Sequence, residues 1–455
     1  MPLKAMSGFP AIAKFKSVTD FQRHLQSVDK DLHCLTPSVK GESPMSRPIT
    51  IGDRVLTNRW AVHPMEGWDA TDDGKPTPDL LRRWYNFGRS GSALIWGGEA
   101  YAVCPEGRAN PNQLHQGSSD GLVESMQILI SELRRGQDDA GIAASETFIG
   151  LQLTHSGRWS RPSLSGPAPL TMFRDDYLDE KVGIIDDSCL LSDADLGELP
   201  SLYADAAANA QQAGFDFVDI KCCHGYLLHE ALSAFERPGI YGGSFENRTR
   251  LFREIVSAVR NRCPQLEIGV RLSVSDDRDN PFDEAIEFVA LLDELSIRLV
   301  NQTIGSPYYC PHVQRPAAFA PCDGVVPTID PLHSVAVHIK AVRELKAAHP
   351  HMIFVGTGYT YLQEYAPAVA EYEVSNNHVD FVGLGRMILS YPEMASDHLA
   401  GREFQRKRIC RTFSDCTTAP RNGMKSGCYP LDPEYRVRPE AKQVQALRPS
   451  PESNG

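Results

Sequence analysis

Eight short apolar runs rich in β-branched or aromatic residues lie at 60–63, 93–96, 148–153, 215–221, 267–272, 298–303, 353–356 and 380–384. Segments with helical spacing separate and follow them, at 79–88, 122–140, 193–213, 246–262, 283–295, 332–349, 361–373 and, more weakly, 392–399. Strict strand–helix alternation predicts a parallel sheet covered by helices, and eight parallel strands close a barrel. The expected fold class is therefore α/β, a (β/α)8 TIM barrel over 48–401. An N-terminal extension at 1–47 lacks clear periodicity, and a Cys-containing C-terminal extension at 402–455 ends, from Arg448, in a stretch that reads as disordered.

A length of 455 residues suits one decorated barrel or two ordinary domains. With 42% hydrophobic and 23% charged residues, the chain can bury a large core. A formal net charge of −12 repels phosphate backbones and anionic lipid, so the expected partner is a small molecule, not nucleic acid or a membrane. Without a run of 18 apolar residues or a secretory leader pattern, a cytoplasmic location is expected. Eleven cysteines, an odd number on a long chain, predict reduced thiols. Oligomeric state stays open, a homo-oligomer included.

In such a barrel, the residues after each strand converge on one face. Those positions hold Pro64-Met65-Glu66, Gly98-Glu99-Ala100, Gln152 with His155, Lys221 to Tyr226, Arg271, Gly356-Thr357-Gly358 and Gly385-Arg386. The last two groups follow the seventh and eighth strands, where loop amides and a helix start commonly hold phosphate. Two long connections, 154–191 and 304–329, rich in Pro, Gly and Ser, fall on the same face.

Five segments then make a specific resemblance. They are Asn58-Arg59-Trp60-Ala61-Val62-His63-Pro64-Met65, Gln152-Leu153-Thr154-His155-Ser156-Gly157-Arg158, His224-Gly225-Tyr226-Leu227-Leu228-His229-Glu230, Tyr241-Gly242-Gly243-Ser244-Phe245-Glu246-Asn247-Arg248, and Gly385-Arg386. In this order they resemble the old yellow enzyme family of FMN-dependent NAD(P)H oxidoreductases. The resemblance implies FMN as cofactor and NADH or NADPH as transient reductant. It implies Pro64, Met65, Glu66 and Ala100 beside the flavin ring, Gln152 on its pyrimidine edge, and Arg271 near the edge where reduction leaves negative charge. Gly356, Gly358, Gly385 and Arg386 would hold the phosphate. His224 would bind an acceptor's oxygen and Tyr226 would protonate an activated alkene after hydride transfer.

Two positions depart from the family pattern. Lys221 stands where a neutral donor is usual, and Glu66 where Thr or Cys is common. Lys221 favours an anionic or strongly polar acceptor, or it is neutralised by Glu66 or Glu99. The alternatives are a barrel-core ion pair for Arg271 and a packing role for Tyr226, and Cys222-Cys223 read as small core hydrophobes before redox-active thiols. Cys410, Cys416 and Cys428 occupy a place reminiscent of the iron–sulfur segment of larger relatives. One of four ligands is missing, so an iron–sulfur cluster is not expected, and no metal site is assigned. The alternatives that remain are a flavin-linked amine dehydrogenase, a Schiff-base lyase using Lys221, and a non-catalytic flavin-binding barrel.

Overall fold

The computed structural model describes residues 9–36, 41–117, 121–275, 282–319, 321–322 and 327–448. Its strands are β1 (Ile49–Ile51), β2 (Arg54–Leu56), β3 (Trp60–Val62), β4 (Leu94–Ile95), β5 (Ala100–Ala102), β6 (Phe148–Thr154), β7 (Phe217–Cys222), β8 (Glu267–Ser273), β9 (Leu299–Thr303), β10 (Ile353–Gly356) and β11 (Phe381–Leu384). Strands β3 to β11 pair in parallel in the order β4-β3-β11-β10-β9-β8-β7-β6-β5, and β4 also pairs with β6, which closes the sheet. β4 and β5 are two pieces of one barrel position. Gly97 and Gly98, with φ of 80° and 44°, break the strand between them, a conformation glycine adopts without a Cβ clash. Eight strand positions result, and each of the eight apolar runs falls on one.

Side chains alternate across these strands, and the alternation explains both faces. Along β7, Val218, Ile220 and Cys222 join the large cluster packed under the helices, whereas Phe217 points into the barrel. The lower interior is filled by Phe148 stacked on Phe217 at 5.4 Å between ring centroids, with Trp96 edge-on to Phe217 at 5.2 Å. Glycine makes that filling fit: a Cβ on Gly150 would come within 2.3 Å of the Phe217 ring. Ile51 and Leu56, from the antiparallel β1–β2 hairpin, cap this layer at the strands' N-terminal ends. The lower end is thus plugged, and polar inward residues begin one layer up with Gln152 and Asp219, neighbours in the β6–β7 ladder.

The predicted helices form with small shifts, with one correction. The segment at 361–373 starts instead as a 3-10 turn, Tyr359–Tyr365, and becomes an α-helix only over Ala366–Ser375. Pro367 is the cause, because its ring would strike the carbonyl of Gln363 in a continuous helix, and Gln363 turns away with φ 54°. The aperiodic N-terminal stretch also holds a helix, Val18–Val28, capped by Ser17. It buries Phe21, which stacks on Tyr365 at 4.4 Å. The stretch read as disordered lies, beyond Arg448, outside the described residues. No helix among the described residues is long and apolar enough to cross a membrane.

Candidate active site

A cavity of about 810 Å³ opens at the C-terminal ends of the strands. Eleven of the thirteen residues singled out in the sequence line it, from Pro64, Met65 and Glu66 after β3 to Gly385 and Arg386 after β11. Ala100 and Gly356 do not. Gly356 lies out of phase with the inward positions: a Cβ there would face the Tyr359 ring at 3.2 Å and Val379 at 3.3 Å. Ala100 is buried beside its ladder partner Gln152, with its carbonyl accepting from Gln113 at 2.8 Å.

The floor is organised by Asp219. Its carboxylate accepts from Gln152 Nε2 at 2.6 Å and from the backbone N–H of Arg271 at 2.6 Å. Burial pushes the Asp219 carboxyl up to about 6, against the pull of those donors and of the Arg271 cation. The Arg271 side chain donates from Nη1 to the Pro64 carbonyl at 3.2 Å, while its buried Nε has no partner. No carboxylate lies within ion-pair distance of the Arg271 side chain among the described residues. A buried cation with an idle N–H, next to a fixed amide, is the donor set that an electron-accepting heterocycle with carbonyl oxygens needs. His63 holds the adjacent wall, with Nε2 2.8 Å from Thr357 Oγ1 and Nδ1 3.2 Å from Asn301 Nδ2. Gly383 leaves it room, since a Cβ there would lie 2.1 Å from the imidazole.

At the other end, Gly358 (φ 94°) opens the 3-10 turn and Gly385 precedes the short helix Arg386–Ser390. Arg386 donates to the Pro316 carbonyl at 2.6 Å, and Arg315 donates to Thr417 Oγ1 at 2.7 Å. Burial, with the nearby Arg421 and Arg386 cations, pulls the Arg315 guanidinium down to about 10. An anion placed among these groups relieves that repulsion. The flavin and phosphate ends of FMN are therefore both matched by residues present: Gln152 and Arg271 for the ring, Gly358, Gly385 and Arg386 for the phosphate.

Above the floor, the Tyr226 hydroxyl donates to Glu66, 2.9 Å from Oε1 and 2.8 Å from Oε2. Trp68 Nε1 donates to Glu66 Oε1 at 2.9 Å, and Lys221 Nζ is 3.5 Å from Oε2 and 3.7 Å from the Tyr226 ring centroid. Lys221 is thus partnered by Glu66 and not by Glu99, which Arg83 holds at 2.7 Å. Burial, then the cations Arg271 and Lys221, keep the His224 imidazole well below its ordinary value and hence neutral. His224 has φ 64°, and its Nε2 is 3.0 Å from the Gln314 amide nitrogen. The motif after it is architectural: Gly225 N–H donates to His229 Nδ1, Glu230 holds Arg158, Ser244 caps helix Phe245–Arg262, and Arg248 grips Glu284.

Several lining residues carry no strand-end signal. Trp159 stacks on Tyr308 at 3.3 Å between centroids, and these come from the two long loops. Cys416, Thr417, Arg421 and Ser426, from the C-terminal extension, complete the wall. Their only hint in the sequence is the cysteine cluster. Cys410 and Cys428 are buried, and burial pushes the Cys416 thiol up to about 11. No group of three or more His, Cys, Asp or Glu side chains is placed to hold a metal ion among the described residues. Cys222 and Cys223 are buried, and burial holds the Cys223 thiol at about 11, which suits packing more than thiolate chemistry.

Comparison with known proteins bears on the fold and the family. An NADPH dehydrogenase of Bacillus subtilis (strain 168) is 32% identical over 268 residues, 57% of this chain and 72% of that protein. Two solved structures share the fold: a 2-naphthoyl-CoA reductase complex (TM-score 0.66, 16% identity) and histamine dehydrogenase from Rhizobium sp. 4-9 (TM-score 0.63, 19% identity). They align with 88% and 84% of this chain, which spans 58% and 51% of theirs. Residues 44–405 match the family described as NADH:flavin oxidoreductase / NADH oxidase, and the chain belongs to this family of FMN-dependent oxidoreductases that use NADH or NADPH.

Proposed function

We propose that this enzyme reduces an activated alkene or a related polar acceptor, with Tyr226 as the proton donor. FMN, which Gln152, Arg271, Gly358, Gly385 and Arg386 would hold, would supply the two-electron chemistry between NADH or NADPH and the acceptor. The observation that carries the reading is the Tyr226 phenol O–H, placed in a cavity beside Lys221, His224 and Arg271, groups that suit an acceptor bearing an oxygen. Neutral His224 can donate to that oxygen, and Lys221 and Arg271 favour the negative charge it gathers. The phenol then supplies the proton to the alkene carbon beside the one that takes hydride. Trp159 and Tyr308 offer a flat apolar wall for the acceptor's body.

The same cations weigh against an amine substrate, which would bring a positive charge among Lys221, Arg271, Arg315 and Arg386. A Schiff base on Lys221 needs a free neutral amine, whereas this nitrogen lies against Glu66 and the Tyr226 ring. The test is anaerobic: mix the oxidised flavin with NADPH, NADH or histamine in separate runs, then add 2-cyclohexenone to the nucleotide-bleached enzyme. Return of colour with the enone supports the reading. Bleaching by histamine instead, or no bleaching by either nucleotide, overturns it.

A further inference from the structure

We propose that Glu66 is the positioning residue that controls Tyr226, passing a proton from solvent to the phenol oxygen as the phenol gives its own to the acceptor. This rests on the reading of Tyr226 as donor. The geometry is a short chain with one wet end. Tyr226 and Lys221 are only 6% and 5% exposed, whereas the Glu66 side chain is 16% exposed. Glu66 therefore stands between the buried phenol and water, within hydrogen-bond distance of the phenol through both oxygens.

Charge decides what the pair can do. When Glu66 is ionised, both its oxygens accept, and removing the phenol proton would set a phenolate against a carboxylate less than 3 Å away. When Glu66 carries a proton, that repulsion vanishes and its O–H becomes a donor to the phenol oxygen. The balanced step is then plain. The acceptor takes hydride, delivered from NADPH by way of the flavin, at one carbon. Its neighbouring carbon takes the Tyr226 proton, the phenol O–H is remade with the Glu66 proton, and the carboxylate left behind takes up H+ from bulk solvent, the one proton that the net reduction consumes. Trp68 holds one Glu66 oxygen in place through its indole N–H.

The groups facing the pair fit this assignment. Lys221, Cys223 and His224 come from β7 and the loop after it, and Arg271 comes from β8. Tyr308 comes from the loop after β9, with Arg315 and Arg421 behind it. Burial, followed by the charge of Glu66, pushes the Tyr226 phenol well above its ordinary value, the direction expected when an ionised carboxylate blocks proton release.

The experiment uses FMN-saturated protein: wild type, Glu66→Gln, Glu66→Asp and Tyr226→Phe. The Tyr226 phenol is titrated by ¹³C NMR of ring-labelled tyrosine, assigned by its loss in Tyr226→Phe. Reoxidation of NADPH-reduced enzyme by 2-cyclohexenone is followed in single turnovers from roughly pH 5 to 10. The expected result is a lower phenol midpoint in Glu66→Gln. Wild-type reoxidation should slow about tenfold per pH unit on an alkaline limb. That limb should disappear in Glu66→Gln and return, shifted, in Glu66→Asp. An unchanged limb in Glu66→Gln overturns the proposal even if the midpoint falls, because a carboxylate that only repels the phenolate shifts the midpoint without passing a proton. If Tyr226→Phe reoxidises as fast as wild type, the donor reading itself falls, and the NMR midpoint separates that failure from this one.

Discussion

Arg82 clasps Asp432 with two guanidinium nitrogens, 2.7 and 3.0 Å from the carboxylate oxygens, and so fastens the C-terminal extension to the barrel helix Pro78–Arg89. Asp79, at the start of that helix, adds a second clasp, accepting from Lys425 at 2.7 Å and Arg438 at 2.5 Å. Burial opposes ionisation of Asp79, but Arg438 and Lys425 together hold its carboxyl down to about 2. The stability this gives is complete above the ordinary Asp value of about 4 and is lost as pH falls from there toward 2. Both basic partners are partly open to solvent, so the expected magnitude is about 1 kcal/mol. Hydrogen exchange should show residues 415–448 loosening before the barrel in that window, and Asp79→Asn should show the same loosening at neutral pH.

Arg83 is buried between two carboxylates, Asp69 at 2.8 Å and Glu99 at 2.7 Å. Burial and the Asp69 charge push the Glu99 carboxyl up even with Arg83 beside it. Arg83→Met would strand both acids and is expected to cost about 3–5 kcal/mol in urea unfolding. Glu99→Gln removes one of two like charges and should cost far less. An equal loss in both variants would show that the triad does not behave as an ionic unit.

Asp219 works in the opposite sense to Asp79. Its carboxyl is raised to about 6, so the unfolded chain gives up that proton first, and stability falls as pH rises from about 4 to 6. Asp219→Asn should remove on the order of 2 kcal/mol of that pH slope. It should also weaken FMN binding about tenfold, because Gln152 loses the acceptor that sets its orientation. Fluorescence titration of FMN and thermal melts at several pH values would check both.

Tyr226→Phe should leave bleaching by NADPH within about twofold of wild type and slow reoxidation by an activated enone by about 10²–10⁴-fold. Stopped-flow traces of the two half-reactions separate these effects. Loss in the reductive half instead would place Tyr226 in nicotinamide binding.

What the sequence made legible was whatever follows from periodicity and chain direction. Alternation identified the strands, and parallel strands bring their C-terminal residues together, so Gln152, Lys221, Arg271 and Arg386 could be placed in one site before any coordinates. Gly356, singled out in the sequence, falls off the cavity wall because a strand's two faces differ by one residue, and Thr357 and Gly358 carry the lining there. Trp159, Tyr308 and Arg421 escaped because loops have no period to read. Partner choice was also hidden: Lys221 had two candidate carboxylates, and only the position of Arg83 shows that Glu99 is already taken. The hydrogen bond from Tyr226 to Glu66 joins residues 160 positions apart, a separation beyond any local pattern.

The wall built from Cys416 to Ser426 has an evolutionary reading. The strand ends supply most of the polar groups of the cavity, and a segment joined to the barrel by a few ionic clasps supplies part of its wall. Substitutions in that segment can reshape the cavity without disturbing the strands. A lineage with this architecture can diversify its chemistry from its C-terminal end.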